Sequence, residues 1–430
     1  MPDDSIEARI PASCPASISE ILLHGWHHDL ASLKPLLSVP GRASVQEPTT
    51  GETPLHAAIR SCGARPVDGS KKSAKSAAPV DLEAAKAVVH ELFLSGAIWN
   101  DVDSNNETPG CVAARLAQDE LYNLCVGAGM RAELLFGLLD GYEVLESDVE
   151  DEDEGEGESA EAAVAEDQQD ALEDVILESD PDRAFSPPQA EGTVTSAAYL
   201  RANLIYSDGK LVDDKQNGVM MAWETSIMRS SVDALLPGLP AGKRVLNIGF
   251  GMGIIDTMFR ETQPSRHHII EAHPEVLKHV ESSPDCTFGK DWEASGPSEG
   301  AYKIHAGKWQ EVIPRLLEQG ELYDAIYFDT FGEDYSQLRM FFTEYVLALL
   351  DEGGIFGFFN GLGADRKVCY DVYTKVVEMH LTDAGLDIEW NELEVDMKGL
   401  DEEGKGEWHG VKRRYWTLDN YRLPIITLMG

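Results

Sequence analysis

From Asp140 to Asp182 the chain carries 20 acidic residues, and between Arg131 and Arg183 it has no Lys or Arg. Like charges this dense repel one another and leave too little apolar surface to bury, so the stretch cannot belong to a core. It divides the sequence, and folding has to happen on either side of it. We read residues 17–140 as a helical region, 141–192 as an acidic, disordered linker and 193–430 as a second domain. At roughly 150 residues per domain, 430 residues leave room for this arrangement. The formal net charge is −41, and the linker holds about half of it. With 43% hydrophobic residues, the flanking parts can bury sizeable cores. Such acidity argues against direct binding to nucleic acid or to anionic membranes.

Six cysteines are scattered, with no pair at the spacing of a disulfide framework or a zinc site. Reduced thiols in an intracellular protein, and no metal, are expected. Residues 1–4 lack a basic segment leading into an apolar one, so no secretory signal is expected. No apolar run approaches the ~18 residues of a membrane span.

In the first part, Thr53-Pro54-Leu55-His56-Ala57-Ala58 matches the T-P-L-H-x-A pattern of ankyrin repeats. A degenerate copy, Thr108-Pro109-Gly110-Cys111-Val112-Ala113-Ala114, follows the turn-like residues 95–103. The two Thr-Pro steps are roughly 55 residues apart, against about 33 for adjacent repeats. The Ser-, Ala- and Lys-rich residues 65–80 supply the surplus as an inserted loop. A short all-α ankyrin-repeat region is expected, offering a surface for a partner protein.

After residue 195 the pattern changes to short apolar runs alternating with helical stretches. Strands are expected at 243–248, 268–271, 302–305, 324–329 and 354–359, with further ones at 388–395 and 415–418. Helices are expected at 335–350 and 365–384. Strands alternating with helices make a doubly wound α/β fold with a mostly parallel sheet.

The chemistry gathers at strand ends. Gly249-Phe250-Gly251-Met252-Gly253 follows the first strand, where glycines let the backbone turn sharply against a ligand. Glu271 ends the next strand, placed to accept hydrogen bonds from a ribose diol. The G-x-G-x-G spacing leans towards S-adenosylmethionine over a dinucleotide. Asp329 ends the fourth strand, and with the usual strand order it would lie beside the glycine loop. Upstream, Met228, Val232, Leu235 and Leu236 form one apolar helical stripe, with Glu224 on the same face. Glu224 is either a buried carboxylate in need of a partner or a half-wet residue of the first helical turn. Two carboxylates facing a methyl donor suit a guanidinium, whose planar fork they match.

Trp223-Glu224-Thr225, Gly249-Phe250-Gly251-Met252 and Asp329-Thr330 resemble guanidinoacetate N-methyltransferase. With the ankyrin-like region and the acidic linker, the chain resembles the fungal type IV protein arginine methyltransferases, which methylate the internal (δ, N5) nitrogen of arginine. The resemblance implies a Rossmann-like class I methyltransferase domain with S-adenosylmethionine as cofactor. It implies donor contacts from Tyr199, Met220 and Met228, from Gly249, Phe250, Gly251, Met252, Gly253 and Ile254, and from Glu271, Ala272 and His273. Gly307, Lys308 and Trp309 would flank the adenine, and Tyr206 is a rival to Tyr199. Glu224 and Asp329 would be catalytic and hold the guanidinium. Asp329 would also take the proton and lie near the donor, and Asn360 would line the acceptor pocket. The implied acceptor is a basic protein such as a ribosomal protein, and the implied enzyme is a monomer of cytoplasm and nucleus. Two departures stand out: Asn247 replaces the acid of many class I methyltransferases, and Gly253 replaces an alanine. Other readings are a small-molecule guanidino methyltransferase and an inactive scaffold acting through its ankyrin region.

Overall fold

Each Thr-Pro step starts a helix. Thr53 Oγ1 accepts the backbone N–H of His56 at 3.2 Å, and Pro54, with no N–H to satisfy, takes the first helical position. Thr108 caps Cys111 in the same way. The computed structural model describes residues 2–64, 81–147, 195–207 and 209–430. They fall into two compact units, Met1–Glu191 and Gly192–Gly430.

The first unit contains helices α1 (Ala16–Trp26), α2 (Leu30–Leu36), α3 (Pro54–Arg60), α4 (Leu82–Leu94), α5 (Pro109–Arg115) and α6 (Asp119–Ser147). Helix α3 packs on α1, α4 and α5, and α5 packs on α6. His56 ties the two Thr-Pro turns together, with Nδ1 2.8 Å from Thr53 Oγ1 and Nε2 2.9 Å from the Glu107 carbonyl. Burial pushes the His56 pKa down to about 3, so the ring is neutral at ordinary pH. Beside it the buried Glu52 and Asp103 carboxylates meet Arg9 at 3.0 and 2.6 Å and also pair with Arg60. Alternating charges make that burial tolerable. The expected loop at 65–80 lies outside the described residues. Of the expected linker 141–192, residues 141–147 continue α6, and the rest lies outside the described residues.

The second unit opens with a small antiparallel sheet that the sequence did not announce: β1 (Leu204–Ser207), β2 (Lys210–Asp213) and β3 (Gly218–Met221). The main sheet has β4 (Arg244–Ile248), β5 (Arg266–Glu271), β6 (Tyr302–Ala306), β7 (Tyr323–Phe328), β8 (Leu350–Phe358), β9 (Leu386–Glu394) and β10 (Asn420–Leu428). Their order is β6-β5-β4-β7-β8-β10-β9, parallel from β6 to β8, with β10 antiparallel to both its neighbours. Alternate residues of each strand face opposite sides. Leu246, Ile248 and Ile326 pack with Trp309, Ile313 and Phe341 on one side. Val245, Ala325 and Tyr327 pack with Met228, Val232 and Phe259 on the other. The covering helices include α7 (Thr225–Leu235), α8 (Ile254–Glu261), α9 (Pro274–Ser282), α10 (Trp309–Glu318), α11 (Tyr335–Phe341) and α12 (Lys367–Asp383). This is a doubly wound, Rossmann-like α/β arrangement.

Two local expectations are corrected. Residues 415–418 form no strand: the Thr417 N–H donates to the Ala364 carbonyl at 3.0 Å, tying this segment to the turn after β8 instead of a ladder. The segment expected as a helix at 335–350 is helical to Leu349, but a π-helical turn, Phe342–Val346, interrupts it between Tyr335–Phe341 and Leu347–Leu349, and β8 begins at Leu350.

Candidate active site

Chain order reverses between β4 and β7, and ligands of open α/β sheets bind outside the strand ends at such a point. Ile248 and Phe328 are in register there. The Asp329 N–H donates to the Ile248 carbonyl at 2.8 Å, so Asp329 and Gly249 leave their strands side by side. Gly249 has φ +95°, and a Cβ on it would stand 1.9 Å from the Asp329 carbonyl oxygen. Only glycine passes at that spacing. Gly251 is less confined: a Cβ there would lie 2.9 Å from the Met220 Sδ, the end of a flexible side chain.

Glu271, at the end of β5, stitches this loop. Its Oε2 accepts the N–H groups of Phe250 and Gly251 at 2.9 and 3.4 Å, and its Oε1 that of His273 at 2.6 Å. Burial raises the Glu271 pKa while these donors pull it down. Asn247, standing where an acid is usual, donates through Nδ2 to the Gly249 carbonyl and to Asp256 Oδ2, both at 2.7 Å. Asp256 Oδ1 in turn meets His267 Nε2 at 2.9 Å. The loop thus hangs on a buried Asn–Asp–His chain.

Above the loop lies a cavity. Tyr199 and Met220 wall one side, Gly249 and Gly251 form the base, and Glu271 with Ala272 closes an end. Gly307, Lys308 and Trp309 enter from the start of α10, and Asp329 from the end of β7. Tyr206 is not on the wall; its hydroxyl donates to the Gly251 carbonyl at 3.1 Å and its ring stacks on His279. Met228 is fully buried in the core with Val232 and Leu235. Phe250 turns into a separate apolar cluster with Ile269 and Phe288. The Met252 N–H points at Met220 Sδ, 3.3 Å away, while Gly253 and Ile254 begin α8. His273 caps α9 and meets the Tyr199 carbonyl at 2.9 Å, holding that tyrosine from behind.

Sequence reasoning missed Ser196, Val219, Phe331 and Glu333 on this wall. Glu333 accepts from Trp309 Nε1 at 3.1 Å, Gln310 Nε2 at 3.1 Å and Thr330 Oγ1 at 2.7 Å, fixing the indole. An acid four residues after Asp329 was the available signal.

Glu224 ends the short 3₁₀ turn Ala222–Glu224 before α7 and is 2% exposed. Of the two readings left open, it is the buried one. Its Oε1 accepts the Met221 N–H at 3.0 Å and the Tyr415 hydroxyl. Burial, then the negative charge of Asp329, pushes its pKa up to about 8. Asp329 Oδ2 is buried without a hydrogen-bond partner among the described residues. Burial, then the charges of Asp256 and Glu271, pushes Asp329 up to about 7. No cation counters either carboxylate among the described residues. Asn360 is buried, and both donors of its side-chain amide are engaged, with the Tyr370 hydroxyl and the Arg422 carbonyl, each at 3.1 Å.

A pocket with an acid at a strand end, a glycine floor, aromatic walls and unbalanced negative charge fits a nucleoside carrying a positive centre. S-adenosylmethionine is such a molecule. When bound it supplies an electrophilic methyl group on a positively charged sulfur. Glu271, the glycine loop and the Trp309 side of the wall would hold it.

The profile of the guanidinoacetate N-methyltransferase family matches residues 192–388. Protein arginine N-methyltransferase 2 of Neurospora crassa is 61% identical over 435 residues, covering 100% of this chain and 99% of that one. The protein of that name from Gibberella zeae is 58% identical, covering 97% and 94%. That from Aspergillus fumigatus is 44% identical, covering 96% of each. With this identity running through both units, the chain belongs to the protein arginine N-methyltransferase 2 family, S-adenosylmethionine-dependent enzymes that methylate arginine.

Proposed function

We propose that the chain places one methyl group on the δ (N5) nitrogen of arginine residues in a basic protein. The observation that carries this reading is the pair of desolvated carboxylates, Glu224 and Asp329, with no cation among the described residues to neutralise them. A guanidinium brings the opposite charge, and its planar fork matches carboxylates. Its pKa above ~12 leaves no free lone pair on nitrogen in water. In this reading Glu224 holds the terminal amino groups. Asp329, beside the donor pocket, faces the internal nitrogen and takes its proton as the new N–C bond forms, so the product guanidinium keeps a single positive charge. A carboxylate whose pKa lies near neutrality is a stronger base than an ordinary one, which suits Asp329 to that step.

The first unit is proposed to be an ankyrin-type module that binds a partner or the acceptor protein. Its support is the pair of Thr-Pro caps joined by His56.

The test is incubation of purified protein with methyl-labelled S-adenosylmethionine and a fungal extract, followed by acid hydrolysis of the labelled protein. We expect δ-N-methylarginine. Label on terminal nitrogens alone would overturn the N5 assignment. Label in free guanidinoacetate and none in protein would favour the small-molecule reading, towards which the family match over 192–388 points.

A further inference from the structure

Glu224 receives two donors on one oxygen. The Met221 N–H reaches Oε1 at 3.0 Å and the Tyr415 hydroxyl donates to that same atom, while neither of these bonds involves Oε2. Tyr415 comes from the irregular segment between β9 and β10, 191 residues further along the chain. We propose that Tyr415 is a positioning residue for the acceptor: by holding Oε1 it turns Oε2 towards the arginine guanidinium and stabilises the carboxylate charge. The inference rests on the reading of Glu224 as a guanidinium-binding group.

The phenol is built into place. Its ring lies 5.1 Å from that of Trp408, edge-on at 79°, and 6.1 Å from that of Trp223 at 26°. Gly218 in β3 leaves it room, since a Cβ there would stand 3.0 Å from the ring. Burial and the Glu224 charge hold the Tyr415 pKa well above 10, so the hydroxyl keeps its proton and can only donate to the carboxylate at working pH. The titratable groups around Glu224 are Asp329 after β7, Glu407 and Tyr415 from the segment before β10, and the hydroxyls of Tyr327 and Tyr421 from β7 and β10. Of the side chains, only Tyr415 hydrogen-bonds to Glu224 among the described residues.

A hydrogen bond to a charged group is the strong kind, so removing one should be visible in kinetics. Tyr415→Phe should raise the acceptor KM ~10-fold or more, leave S-adenosylmethionine binding by calorimetry unchanged, and lower kcat less than it raises KM. The acid limb of acceptor kcat/KM against pH should move up by about one unit, because an acid robbed of a donor holds its proton more tightly. A purely structural role would not move that limb. Tyr415→His, whose imidazole can donate a hydrogen bond, should recover part of the KM. If Tyr415→Phe loses its thermal unfolding transition, Tyr415→Leu replaces it as the variant without a donor, and a KM and a limb both at wild-type values in it would overturn the role. Glu224→Gln is measured alongside. If it leaves the acceptor KM unchanged, the reading of Glu224 falls, and this inference with it. If it raises KM while Tyr415→Phe keeps both KM and limb at wild-type values, the positioning role alone is wrong.

Discussion

Asp329 and Glu224 bring two carboxylates to a site where water solvates them poorly, and no cation among the described residues offsets them. The missing positive charge is that of the acceptor and the donor. Asp329→Asn keeps the shape and removes the proton acceptor, so kcat should fall at least ~100-fold, with donor affinity changed much less. Single-turnover rates with saturating donor measure this, and near wild-type turnover would refute the role. The pH dependence follows from Glu224. Its ordinary value of 4.5 is pushed up to about 8, so in the free enzyme the neutral form dominates below that pH. A neutral carboxyl attracts a guanidinium weakly, so acceptor kcat/KM should decline as pH falls from 8.5 to 6. A flat profile across that window would contradict the assignment. At this scale Glu224 was visible in the sequence as an acid on an apolar stripe. Its partner Tyr415 was not, because 191 residues separate them and no pattern links the two.

The glycine turn between β4 and α8 works because one strand end passes another at backbone distance. Gly249→Ala would force a methyl group against the Asp329 carbonyl in a backbone region that L-residues rarely occupy. The loop or the strand end must shift, and both touch the donor cavity. We expect donor affinity to fall ~10-fold or more together with a lower thermal midpoint, as read by calorimetry and thermal unfolding. A variant that binds S-adenosylmethionine like wild type would show that the close approach is dispensable. Strands β4 to β8 were legible because short apolar runs alternate with helical ones, a period effect that needs no tertiary information. Strands β1 to β3 escaped notice because they are four residues each, too short for a period to appear. Residues 415–418 read as a strand because Tyr415, Trp416 and Thr417 favour extended backbone, yet the Thr417 N–H and hydroxyl bond to the Ala364 and Asp365 carbonyls and Tyr415 turns to Glu224.

Across the whole molecule the formal charge of −41 sets the long-range field that the proposed basic acceptor would meet. Fields of this kind are screened within ~8 Å at physiological salt, so any contribution of the acidic stretch should depend on ionic strength. A chain lacking residues 149–170 should show a raised acceptor KM at low salt and a wild-type KM at high salt. Equal values at both would make the stretch a spacer only. Sequence alone determined the α/β alternation, the glycine turn with its following acid, and the positions of the two carboxylates. All of these depend on local composition or on spacing along the chain. Tertiary structure alone decided which oxygen of Glu224 is held, that Asn247 hangs the loop on Asp256 and His267, that Met228 is core, and that Glu333 clamps Trp309. Those are contacts between distant segments, and they exist only once the sheet has set its strand order and brought the ends together.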